Sequence, residues 1–149
     1  MQSMIEKITA NEEIIAIVTR AGFNPKGVNF LTPENFPLQM AVSSYKKGGI
    51  LKAHSHPQKN RIIIDAQEMV HIQTGKVELY LFDANGKLIR TLVLEKGDTV
   101  FFAAGGHGWK TLEDTKIIEV KQGPYFGLKQ DKTYIGDLQL NNNKNEKSL

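Results

Sequence analysis

The stretch Val77-Glu78-Leu79-Tyr80-Leu81-Phe82-Asp83-Ala84-Asn85-Gly86-Lys87-Leu88-Ile89-Arg90-Thr91-Leu92-Val93-Leu94 holds two runs rich in apolar and β-branched residues around a four-residue turn. Asn-Gly accepts positive φ at little cost, so the stretch reads as two antiparallel strands joined by a hairpin. The same pattern continues on both sides, with Gly75-Lys76 and Lys96-Gly97-Asp98 marking two more turns. Short apolar or β-branched runs predict strands over 38–45, 51–56, 61–64, 68–73, 77–82, 87–94, 99–102, 108–112 and 116–120. Many short strands at close intervals indicate an all-β sandwich or barrel.

Outside this region the signal changes. Asn11, the acidic Glu12-Glu13, the run Ile14-Ile15-Ala16-Ile17-Val18 and Gly22 read as a short N-terminal helix with an Asn cap and a Gly stop. Residues 23–37 contain three prolines and no sustained period, and so read as an irregular connector. The division expected is a helix and connector over 1–37 packed on a β domain over 38–140, with an extended arm after Gln122-Gly123-Pro124-Tyr125. Residues 141–149 have nothing to bury and read as a disordered polar tail.

With 149 residues, 40% hydrophobic and 23% charged, the chain has the balance of one ordinary globular domain. The apolar run Ile14 to Val18, which no other run in the chain exceeds, falls far short of the roughly 20 residues of a spanning helix. The first residues, Met1 to Lys7, lack the basic-then-apolar order of a secretory signal, and a cytoplasmic location with no membrane partner is the expectation. A net charge of +3 with scattered basic residues gives no ground for nucleic-acid binding. There are no cysteines, so any metal must be held by His, Asp or Glu.

His54 and His56 stand at spacing i, i+2, which puts both imidazoles on one face of a strand, and Lys52 shares that alternation. Gly48 precedes His54 by six residues, and Glu68 is followed seven residues later by Gly75. Gly97 opens a run that ends in Ala103-Ala104-Gly105-Gly106-His107. These marks resemble the two signature motifs of the cupin superfamily, over about residues 38–121. Residues 57–67 make a longer insert than the family spacing, and Ala103 stands where the second motif has proline.

The resemblance implies a single cupin-type β-barrel, or jelly roll, with His54, His56, Glu68 and His107 converging on one divalent metal at its mouth. Three imidazoles and a carboxylate suit Mn, Fe, Ni or Zn and are poor for Ca or Mg. Asp65 and Gln67 compete with Glu68 for the acidic position; in a continuous strand they face the opposite side, and the spacing to Gly75 favours Glu68. The fourth histidine, His71, has parity opposite to Glu68 and reads as an outward or interface residue and not a ligand. Trp109, two residues beyond His107, offers an aromatic platform, and Lys52 and Arg61 are candidates to orient a substrate.

The stretch Ile118-Glu119-Val120-Lys121-Gln122-Gly123-Pro124-Tyr125, together with Gly105-Gly106-His107-Gly108-Trp109, also resembles small cupins associated with surface-polysaccharide and sugar-nucleotide biosynthesis. The function expected is therefore a metal-binding cupin acting on a small polar ligand, a carbohydrate or sugar derivative, as an isomerase, epimerase or oxygenase if it is an enzyme. The alternatives are a metal-independent sugar-nucleotide isomerase or epimerase, and a non-catalytic ligand-binding cupin. A homodimer is expected, because cupin-like barrels commonly pair and residues 1–37 and 125–140 can supply an exchanged strand or cover a sheet edge.

Overall fold

The structure is a computed structural model that describes residues 3–135. Its strands are β1 (Ile5–Ala10), β2 (Glu13–Thr19), β3 (Gly27–Phe30), β4 (Ala41–Ser44), β5 (Glu68–Thr74), β6 (Lys76–Phe82), β7 (Leu88–Glu95), β8 (Thr99–Phe102), β9 (Gly106–Thr111) and β10 (Lys116–Lys121). One short helix, α1 (Leu128–Asp131), follows. The strands pair antiparallel in a five-stranded sheet of order β1-β2-β8-β5-β10, a three-stranded sheet of order β7-β6-β9 and a separate β3-β4 ribbon. The protein is all-β, and among the described residues the sheets do not close into a barrel.

The β6–β7 hairpin forms where Asn85-Gly86 places it. Asp83 Oδ1 accepts the backbone N–H groups of Asn85 and Lys87, both at 2.9 Å, and Gly86 takes φ 79°. A carboxylate closing its own turn in this way satisfies two backbone donors that neither strand could pair. Alternate residues of β6, Val77, Leu79 and Leu81, are fully buried. They meet Val70, Ile72, Val100 and Phe102 from the facing sheet, with Ile15, Ala16 and Val18, in the main core. A second cluster lies on the outer face of the five-stranded sheet, where Leu31 and Met40 cover Ile17 and Phe101 and Phe36 stacks on Phe101 at 6.1 Å.

The predicted N-terminal helix is not formed. Residues 5–19 are the β1–β2 hairpin, turning at Asn11 and Glu12 with φ 50° and 66°. Asn11 is a turn residue and not a cap, since positive φ at both central positions is the hairpin geometry that matches strand twist. The run Ile14 to Val18 feeds both cores because β2 is an interior strand between β1 and β8, buried on both faces. A short continuous apolar run of this kind has the same composition as a buried helix segment, and its length and partners decide between them. The connector also holds a strand, β3, which pairs β4.

Two further expectations fail over residues 45–67. No strand forms at 51–56 or 61–64. Ile50, Ile62 and Ile64 are 88%, 90% and 87% exposed, so these β-prone residues have no cross-strand neighbours to pack on. Strand propensity is realised through such neighbours and not by the isolated backbone. The arm after Tyr125 turns into α1 in place of an extended strand. Residues 136–140 of the expected β domain and the tail over 141–149 lie outside the described residues.

The sandwich is open along one side. β9 is the edge of the smaller sheet and β10 the edge of the larger, and the two are consecutive in the chain. On β10, Ile117 pairs Ile72 and Glu119 pairs Val70, so both face the main core. Ile117 packs there, whereas Glu119 is exposed.

Candidate functional site

The candidate site lies at one end of this open side, and strand register builds it. Glu68, the first residue of β5, pairs Phe102 of β8, which places both on the core-facing side of the larger sheet. On the smaller sheet His107 pairs Leu81 and Trp109 pairs Leu79, so both rings share the face of those buried leucines. Directly paired residues of an antiparallel ladder project to the same side, and the two faces therefore meet through these side chains. Gly105 sets up the approach to His107: it takes φ 67°, and a Cβ there would run into the backbone oxygen of Phe82.

His107 Nε2 lies 2.6 Å from Glu68 Oε1, with side-chain exposures of 29% and 18%. The His107 ring lies parallel to Phe102, with centroids 3.8 Å apart at 9°, and to Trp109 at 5.9 Å and 12°. Burial pushes the Glu68 carboxyl up, but the hydrogen bond and charge of His107 and the charges of Lys121 and Lys132 outweigh it, and the net shift is below the usual 4.5. Glu68 is thus ionised at neutral pH. An ionised carboxylate only accepts, so Nε2 of His107 carries the proton of this contact.

His54 and His56 form a second pair, with rings 5.1 Å apart edge to face, on the exposed segment between β4 and β5. His54 Nδ1 lies 2.8 Å from the carbonyl oxygen of Lys52. Lys52 and Arg61 are exposed on the same segment. The four predicted ligands thus come together as two pairs, and among the described residues no three His, Asp or Glu side chains gather in one cluster.

The competitors for the acidic position lie elsewhere. Gln67 is buried beneath the connector, where its Oε1 accepts Leu38 N–H at 3.3 Å and its own N–H donates to Gln122 Oε1 at 2.8 Å. Asp65 is exposed and borders a cleft of about 660 Å³ with Glu12, Glu13, Phe36 and Gly105; neither Glu68 nor His107 lines that cleft. His71 is half-buried and bonds Thr99 Oγ1 at 3.0 Å on the face opposite Glu68.

Three contributors are given no role at the site by the sequence, although Lys121 and Tyr125 lie in a stretch that carries the resemblance. Phe102 stacks on His107, Lys121 pairs Glu68 across the β5–β10 ladder, and Tyr125 lies under the Lys121 ammonium at 4.9 Å. All three depend on which strands are neighbours, which no local pattern encodes. Compared with known proteins, the chain matches no family model, no curated protein and no solved structure.

Proposed function

We propose that the chain is a metal-binding protein of the cupin type that takes a small polar ligand, a carbohydrate or sugar derivative, at the open end of its sandwich. The observation that carries this reading is the Glu68–His107 pair, an ionised carboxylate and an imidazole at 2.6 Å on an open edge. Three imidazoles and one carboxylate form a donor set suited to Mn, Fe, Ni or Zn. Residues 57–67 can span up to about 36 Å when extended, so the segment is long enough to fold His54 and His56 back to Glu68. In that arrangement His54, His56, Glu68 and His107 would hold the metal, which when bound supplies Lewis-acid polarisation of a ligand oxygen. Glu68 and His107 would both be ligands there, the Nε2 proton between them being displaced, and Trp109 would offer a flat apolar surface beside them. The jelly-roll barrel belongs to the same proposal, with residues 45–67 adding strands along the open side.

A second reading is favoured by the same 2.6 Å contact. A carboxylate that orients an imidazole is the arrangement of a general base, and His107 Nδ1 would then exchange protons with a sugar-nucleotide substrate in a metal-independent isomerase or epimerase. Elemental analysis of protein purified without added metal separates the two. The metal reading expects a transition metal that disappears in His54→Ala and in His107→Ala. The acid–base reading expects turnover in chelator-treated protein that is lost in His107→Ala alone.

A further inference from the structure

Lys121 ends β10 opposite Glu68, and register puts its side chain on the same face as the carboxylate. Among the described residues its ammonium has one ion-pair partner, at long range. The acidic oxygen beside it, Asp131 Oδ2, is 3.9 Å away and already accepts Phe126 N–H at 3.0 Å. The face of Tyr125, 4.9 Å below the nitrogen, holds the charge in place without neutralising it. Lys132, one residue beyond α1, is exposed and adds a second positive charge that Glu68 feels. Glu119, the acidic residue on the same face of β10, lies two register pairs further from the site, opposite Val70. The end of the sandwich therefore combines a flat aromatic surface at Trp109 with a cation held at the edge of the site.

We propose that Lys121 is the specificity-determining residue of the site and selects a ring-bearing ligand that carries an anionic oxygen group, a phosphate or a carboxylate. This rests on the reading of the Glu68–His107 end as the ligand site. The ring lies against Trp109 and the anionic group pairs with the Lys121 ammonium, with Lys132 adding long-range attraction. A point charge on a flexible stem suits either anion, since it imposes no bidentate geometry.

The sequence contains a single tryptophan, so the fluorescence of Trp109 reports occupancy of the site without a label. Wild-type protein is titrated with glucose, glucose 6-phosphate and glucuronate, both after chelator treatment and with added Mn²⁺. Glucose 6-phosphate or glucuronate, or both, is expected to bind at least about tenfold more tightly than glucose, the worth of one charge-assisted hydrogen bond. Which of the two wins identifies the anion. Lys121→Gln removes the difference, Lys121→Arg keeps most of it, and Lys96→Gln, in the turn between β7 and β8, leaves it unchanged. An unchanged circular dichroism spectrum shows that each variant is folded. Equal affinity for the three sugars, absence of binding by either anionic sugar, or a preference that survives in Lys121→Gln overturns the proposal. A protein that prefers anionic sugars but binds no Mn²⁺ keeps this proposal and loses the metal reading; one that binds Mn²⁺ without the preference does the reverse.

Discussion

Glu68 and His107 are separated by 39 positions in the chain, yet both were marked by their spacing to glycines: Glu68 to Gly75, and His107 to Gly97 and Gly105. Those glycines are legible because the backbone needs them, with φ 86°, 89° and 67°. Phe102, Lys121 and Tyr125 carry no such mark, since an aromatic or a lysine in a strand looks the same whatever it faces. The depressed carboxyl of Glu68 has a consequence for pH. A group whose pKa is lower folded than unfolded adds stability above the unfolded value and loses it as pH falls through the folded value. The contribution of Glu68 is thus complete above the ordinary 4.5 and lost below it. Thermal melts from pH 7 to pH 3 are expected to show a smaller acid-induced drop in Glu68→Gln than in the wild type. An equal drop would mean that the His107 contact does not hold in solution.

Among the elements, β5 to β10 appear within about two residues of their expected bounds, because each has turn residues at its ends and a neighbour to pair. The sequence reads residues 11–22 as a helix where the structure has a turn and β2, and the difference is testable at that turn. Glu12 holds φ 66°, where glycine is at ease and a residue with a Cβ is not. Glu12→Gly should therefore raise stability by about 0.5–1 kcal/mol, measured by urea denaturation, through relief of the left-handed conformation. In a helix the same change would lower stability by a similar amount. The segment over 45–67 carries strand-forming residues without a partner strand. Limited proteolysis is expected to cut first within it, and added Ni²⁺ or Mn²⁺ to slow that cut at least about threefold if His54 and His56 become ligands. Cleavage that begins in β6 or β7, or a rate indifferent to either metal, would count against the folding-back of this segment.

For the whole molecule, the core is secured by the contact of two sheets while one flank stays open, so the residues of the core and those of the proposed site are different. Leu79, fully buried between the sheets, is expected to cost about 2–5 kcal/mol on replacement by alanine, without altering metal affinity in the fraction that remains folded. The β3-β4 ribbon hydrogen-bonds to neither sheet and exposes Val28 and Phe30, 52% and 63%. A two-stranded ribbon is marginal alone, and pairing of this ribbon between two copies is the expected source of a homodimer. Light scattering at micromolar concentration should give the mass of two chains, falling to one in Phe30→Asp; a single-chain mass for the wild type contradicts the dimer.

The proposed function turns on whether the two imidazole pairs meet on one metal. Calorimetric titration of chelator-stripped protein with Ni²⁺ at pH 7.5 answers this in the wild type, His54→Ala and His107→Ala. The expected result is one ion per chain with release of a proton, and an affinity loss of at least about tenfold in each variant, the range for losing a ligand or its support. Wild-type binding that is undisturbed by either substitution, or no binding at all, would contradict a metal centre built from these residues.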